Sequence, residues 1–204
     1  MTASATLPVV ETFHSLQGEG HHSGRSAFFI RLAGCSVGCS WCDTKHSWPE
    51  HGHLQQDIDA LAEAALEATR SGACFTVITG GEPLHHDLRA LTTALRCTQK
   101  PLHLETSGVD PLSGAFDWIT LSPKRHKPPQ VELLRGCDEL KVVVHSPEDL
   151  AFAEAMAEQT DQRAHLLLQP GWNSDQGQHL ALEHVRQQPR WRLSLQTHKW
   201  LGVR

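Results

Sequence analysis

Between Cys35 and Cys42 three cysteines fall within eight positions, in the order Cys35-Ser-Val-Gly-Cys39-Ser-Trp-Cys42. They follow an apolar run ending at Leu32, and glycines at 34 and 38 interrupt regular structure between them. A fold for this chain must therefore end a strand here and turn three thiols out of one short loop. Three such thiolates suit three corners of a four-iron, four-sulfur cluster and leave the fourth iron without a protein ligand. A closed structural zinc site needs a fourth ligand. His46, His51 or His53 could supply one, so spacing alone leaves a Cys3His zinc site open. Cys74, Cys97 and Cys137 lie in or beside apolar segments, where a free cysteine behaves as a small hydrophobe.

The rest of the chain alternates short apolar runs with helical periodicity. Leu7 to Val10 is a short apolar segment, and residues 11–25, with glycines at 18, 20 and 24, read as a polar loop. Ser26–Leu32 reads as a strand, interrupted by Arg31, which we expect to face a site. The cysteine loop continues to about His53. Apolar spacing predicts a helix over Leu54–Arg70 and another carrying Leu84, Leu88, Leu91 and Leu95. Strands are expected over Cys74–Thr79, Leu102–Thr106, Trp118–Leu121, Glu139–His145, His165–Leu168 and Trp191–Gln196. Arg125–Gln130 reads as a loop, and helices are expected over Pro147–Gln159 and Gly177–Gln188. Such alternation points to βαβ units and a parallel sheet. A complete eightfold barrel takes about 250 residues, so the 204 here predict one α/β domain over residues 1–204. Its expected form is an open, partial parallel β/α barrel with reduced helical content. The polar tips after the strands would gather at the carboxyl edge of the sheet, where ligands bind in such folds.

Composition narrows the function classes. A net charge of -5 leaves no electrostatic footprint for nucleic acid, and no apolar run is long enough to span a membrane. The N-terminus has no basic-then-apolar signal, and six cysteines in 204 residues do not form a secreted disulfide scaffold. A reducing cytoplasm is the expected location. The 15 histidines are scattered, and most are expected at the solvated surface.

A second motif, Thr79-Gly80-Gly81-Glu82-Pro83, closes one of the expected strands. With the Cys-x3-Cys-x2-Cys loop and Trp41 before its third cysteine, it resembles the radical S-adenosylmethionine (SAM) superfamily. Further matches narrow the resemblance to the 7-carboxy-7-deazaguanine synthase family, over about Glu11 to Arg204. They are Ser15-Leu16-Gln17-Gly18-Glu19-Gly20, Arg31 four residues before the first cysteine, Cys42-Asp43-Thr44, Ser122-Pro123-Lys124 and Gln196-Thr197-His198-Lys199. His21-His22-Ser23 and a short central region with few helices depart from the commoner pattern.

The resemblance implies the radical SAM type of barrel and a ring contraction of 6-carboxy-5,6,7,8-tetrahydropterin to 7-carboxy-7-deazaguanine with loss of ammonia. It implies a 4Fe-4S cluster on Cys35, Cys39 and Cys42, with SAM on the open iron and regenerated after each turnover. It also implies Mg2+ at Thr44. SAM would touch Gly81, Ser122, Pro123, Lys124, Gln169, Pro170, Gly171 and Trp172. Substrate would meet Leu16, Gln17, Gly18, Glu19, Arg31, Thr79, His198 and Arg204. An electron donor such as flavodoxin or ferredoxin and a homodimer are the implied partners. Trp200, Leu201 and Val203 are apolar, so the tail is expected to bury them and close the pocket. A glycyl-radical-activating enzyme or a zinc-stabilised, non-enzymatic binding module would account for part of the same pattern.

Overall fold

The computed structural model describes residues 5–204, among which nine strands form one sheet. They are β1 (Thr6–Leu16), β2 (Ser26–Leu32), β3 (Leu54–Asp57), β4 (Phe75–Gly80), β5 (Leu102–Thr106), β6 (Trp118–Leu121), β7 (Glu139–Val144), β8 (His165–Pro170) and β9 (Trp191–Leu193). The spatial order is β3-β1-β2-β4-β5-β6-β7-β8-β9. Pairing is parallel from β2 through β9. The end strands do not pair with each other, so the barrel is open, in line with the expected class.

The sheet is not purely parallel. β1 runs antiparallel to both β2 and β3, and residues 11–16, expected in a loop, complete β1. Residues 17–25 between β1 and β2 are too few for the crossover of a dozen or more that parallel pairing demands, so the two strands make a hairpin. Leu54–Asp57 is likewise an edge strand rather than the start of a helix. The helix α1 (Ile58–Arg70) starts later because Asp57 caps it, accepting from the Asp59 and Ala60 amides. α2 (Arg89–Leu95) is shorter than its leucine spacing implied. α3 (Val131–Gly136), absent from the expected pattern, follows the proline-rich loop. α4 (Pro147–Ala157) and α5 (Asp175–Gln187) lie where periodicity put them. β9 ends at Leu193, and α6 (Thr197–Leu201) follows.

Alternation along the strands separates two faces. Ile30, Ile78, Leu104, Leu121, Leu140, Val142 and Leu168 point outward into the main core under the helices, with Leu61, Leu91 and Ala153. Burying each large apolar side chain contributes about 1.5–3 kcal/mol. The inward positions hold a smaller apolar cluster, Ala27, Phe29, Phe75 and Val77. Alongside it runs a stack of rings that the sequence did not announce. His103 lies 4.2 Å from Phe75, and His21 lies 4.1 Å from His165 and 5.2 Å from Trp118. His22 lies 4.5 Å from Trp118 and 4.7 Å from His103. Of these four histidines His103 is buried, His22 and His165 are half-buried and His21 is exposed, and together their rings close the amino-terminal end of the barrel. His21 and His22 belong to the loop after β1, so that loop enters the barrel instead of passing over it. No helix among the described residues is long and apolar enough to cross a membrane.

Candidate active site

The two motifs that stand out in the sequence are joined by main-chain bonds. Past the end of their parallel pairing, the Gly81 amide donates to Leu32 O at 2.9 Å and the Glu82 amide to Gly34 O at 2.8 Å. A Cβ at Gly81 would sit 2.4 Å from Gly34 O and 2.8 Å from Cys35 Cβ, so only glycine lets β4 come this close to the cysteine loop. The Glu82 side chain turns away and is 1% exposed. It accepts from the Leu84 and Ser107 amides at 3.2 and 2.8 Å and from the Thr106 and Ser107 hydroxyls. It thereby ties the tip of β4 to the tip of β5.

The cysteine loop is clasped from both sides. Cys35 N donates to Trp48 O at 3.0 Å. From the loop after β6, His126 Nε2 reaches Val37 O at 3.0 Å and Lys127 donates to Ser36 Oγ at 2.8 Å. Cys35, Cys39 and Cys42 are free thiols lining one pocket. The Trp48 indole N–H points at Cys42 Sγ at 3.4 Å, and Thr44 Oγ1 lies 3.5 Å from the same sulfur. Burial pushes the Cys35 and Cys39 thiols up, while the Lys124 charge pulls Cys39 the other way. Three soft donors with an N–H aimed at a sulfur suit an iron–sulfur cluster, whose binding would expel the thiol protons. No group of three or more His, Cys, Asp or Glu among the described residues is gathered to hold a single ion. His53 is turned onto His46 O at 3.0 Å, and the histidine beside the cysteines is His126, 4.0 Å from Cys39 Sγ.

The pocket, about 420 Å³, opens at the carboxyl ends of the strands. Its polar wall is built from inward strand positions and the loop after β1. Arg31 donates through Nε to Glu11 Oε1 at 3.0 Å, and Arg204 donates to Glu11 Oε2 at 2.8 Å. Gln17 donates to Glu105 Oε1 at 2.8 Å, and Thr79 donates to the other oxygen at 3.1 Å. Glu19 pairs with Lys141 and accepts from Gln196 at 2.8 Å. Lys124 donates to Ser122 Oγ at 2.7 Å, and its burial pulls its pKa down. Ser194 donates to Gln169 at 2.8 Å. Gly18 packs against His198 so closely that a Cβ would lie 2.1 Å from the ring.

Of the residues expected at the site, Leu16, Gln17, Gly18, Glu19, Arg31, Cys35, Cys39, Cys42, Thr44 and Thr79 line this pocket. So do Gly81, Ser122, Lys124, Gln169, Gly171, Trp172, His198 and Arg204. Pro123 and Pro170 do not line it, although their chain neighbours do. Sequence reasoning missed Glu11 and Lys141; Glu105 and Gln196 were expected among the polar tips at this edge, without a role, and both line the pocket. The tail also differs from expectation. Trp200 and Leu201 are 75% and 63% exposed, and polar contacts hold the segment. The Thr197 amide and hydroxyl both donate to Gly18 O at 2.9 Å, and Lys199 pairs with Asp43.

No family model matches the chain. It is 53% identical to the 7-carboxy-7-deazaguanine synthase of Prochlorococcus marinus, with 98% of this chain and 99% of that protein covered. It is 48% identical to the synthase of the same name from a Synechocystis species, covering 98% and 95%. The crystal structure of QueE from Escherichia coli superposes with a TM-score of 0.81 at 34% identity, covering 95% of each chain.

Proposed function

The chain belongs to the 7-carboxy-7-deazaguanine synthase family, and on that premise we propose how it converts 6-carboxy-5,6,7,8-tetrahydropterin to 7-carboxy-7-deazaguanine. Ammonia is lost, and the product enters the route to queuosine and other 7-deazapurines. The observation that carries the reading is the backbone junction between the cysteine loop and Gly80-Gly81-Glu82, beside a pocket walled by paired carboxylates, amides and Arg31. The glycyl-radical-activase and binding-module readings have no counterpart among these relatives.

Cys35, Cys39 and Cys42 would hold the 4Fe-4S cluster. SAM would lie along Gly81, Ser122, Lys124, Gln169, Gly171 and Trp172, and Thr44 offers Mg2+ a hard oxygen donor. When bound, the cluster and SAM supply a reversible hydrogen-atom abstraction. The protein binds, orients and shields. Glu11 fixes Arg31 through Nε, leaving its terminal N–H groups to meet the substrate carboxylate. Gln17, Glu19, Glu105 and Thr79 offer the heterocycle a rim of donors and acceptors held by one another, so little ordering remains to be done on binding. His198, seated on Gly18, covers the same loop from above. Electrons would come from a flavodoxin or ferredoxin, and the working form would be a homodimer. The test is an anaerobic assay with the carboxypterin, SAM and a reductant, on protein analysed for iron and sulfide. Turnover with about four of each per chain is expected; a single zinc and no turnover would overturn the reading.

A further inference from the structure

Lys141 places an ammonium inside the barrel, among the carboxylates of Glu19, Glu105 and Glu139. It occupies an inward position between Glu139 and Val143 and is 5% exposed. Its ammonium donates to Glu19 Oε2. The other oxygen of that carboxylate accepts from Gln196, and the Glu19 amide donates to Gln17 Oε1 at 3.1 Å. Glu19 is therefore gripped from β7, from the residue before α6 and from its own loop. A buried ion pair of this kind adds little to stability compared with apolar packing, yet breaking it from one side is costly. Stability alone does not account for the lysine. Both members line the pocket.

We propose that Lys141 is a positioning residue for substrate recognition, holding Glu19 ionised and turned so that the pocket offers an acceptor to the N–H edge of the pterin. This rests on the function proposed above. The 2-amino-4-oxopyrimidine edge presents amino and ring N–H donors. An ionised carboxylate only accepts, whereas a protonated one sets a donor against those donors. Burial pushes the Glu19 carboxyl up, but the charge and hydrogen bond of Lys141, with Gln196 and His198, together outweigh it and bring the group down to about 2. The other charged groups facing the pair are Glu105 on β5, Glu139 on β7, Lys124 after β6 and His198 on α6. Without Lys141, burial and the two further carboxylates drive Glu19 toward its protonated form.

The experiment measures binding of 6-carboxypterin, which cannot turn over, to the anaerobic cluster-loaded protein between pH 5.5 and 7.5. The native chain is expected to bind equally tightly across that range. Lys141→Met keeps the length and removes the charge; its affinity should fall about tenfold or more at pH 5.5 and recover as pH rises. Lys141→Arg should keep the level profile. The double variant Glu19→Gln/Lys141→Met removes both members of the ion pair, and it should bind weakly at one level throughout. If Lys141→Met does not fold, the arginine and double variants decide, and native affinity in the double variant overturns the proposal. An equal loss at every pH in Lys141→Met, or no loss, also overturns it. Failure of the native chain to bind the pterin overturns the function proposed above and this assignment with it.

Discussion

Glu82 accepts four hydrogen bonds and faces no ligand, so its work is to hold Gly81 at the cysteine loop and Ser107 at the rim. Replacing it with Gln turns one of its two acceptor oxygens into a donor, set against one amide and one hydroxyl whichever way the side chain is turned. We expect a loss of about 2–3 kcal/mol, as for a buried charge-assisted network left partly unsatisfied, read as a lower urea midpoint with the main chain still folded. An unchanged midpoint would show that the network contributes nothing. The cysteines divide by the same reasoning. Cys137 is buried under α3, and burial pushes its thiol up to about 12, which marks an inert apolar filler. Cys39→Ala should abolish iron loading, while Cys137→Ala should load iron normally and lose only packing stability. Iron and sulfide analysis after anaerobic reconstitution decides both, and normal loading of Cys39→Ala would remove the cluster from this loop.

Among the elements, the loop 17–25 serves both ends of the barrel interior. Gln17 and Glu19 form part of the pocket wall, while His21 and His22 pack among Phe75, His103, Trp118 and His165. Burial, then the charges of His21 and Arg25, bring His22 down to about 4. Burial, then His22 and Arg25, bring His103 down to about 3. In the unfolded chain both return to about 6.5. The unfolded state therefore takes up protons first, so stability is full above pH 6.5 and falls as pH drops through about 4 to about 3. His22 Nε2 is buried without a hydrogen-bond partner among the described residues, so His22→Phe keeps the ring contacts at the cost of the 2.8 Å contact between Nδ1 and Arg25. Urea midpoints at pH 7 and pH 4.5 should differ less in His22→Phe than in the native chain; equal differences would exclude His22 as a source of the slope. None of this was legible beforehand, because ring stacking between residues 21, 103 and 165 leaves no local pattern. Lys141 escaped for a related reason. Glu139-Leu-Lys141-Val-Val143 alternates as a strand should, but a lone lysine in such a pattern equally marks a solvent face. Only the curvature of the sheet turns it inward. By contrast Leu102–Thr106 and Trp118–Leu121 were read to the residue, since apolar runs bounded by glycine, proline and serine carry their own limits. The cysteine loop and the Gly-Gly-Glu-Pro tip were legible because each needs its residue types in an unbroken order.

For the whole molecule, the open side of the barrel decides how the pocket is sealed. β9 and β1 do not pair, and the loop 17–25 spans the gap to Ser194 and Thr197. Gly20 N donates to Ser194 Oγ at 3.0 Å, and Thr197 bonds twice to Gly18 O. Trp200–Arg204 lies over this seam. Its apolar side chains do not anchor it, since Trp200 is mostly exposed and meets Trp172 edge-on at 6.1 Å. Its links inward include the Arg204–Glu11 pair, the bond from Ser15 Oγ to Arg204 O and the bond from the Val203 amide to His198 O. Arg204 is 72% exposed in that pair, and exposed pairs contribute about 0–1 kcal/mol. Deleting residues 200–204 should therefore leave the urea midpoint and the cluster absorption unchanged. It frees Glu11, and with it the orientation of Arg31, so the KM for the carboxypterin should rise by roughly fivefold to tenfold, about 1–1.4 kcal/mol of lost binding. Deoxyadenosine released per product should rise as well, because water reaches the pocket across an unsealed seam. Glu11→Gln in the full-length chain separates the two effects. It should reproduce the KM increase with less extra deoxyadenosine than the truncation, since the bond from Ser15 Oγ to Arg204 O still holds the tail. Truncated protein with native KM and native coupling would show that the loop 17–25 seals the open side unaided.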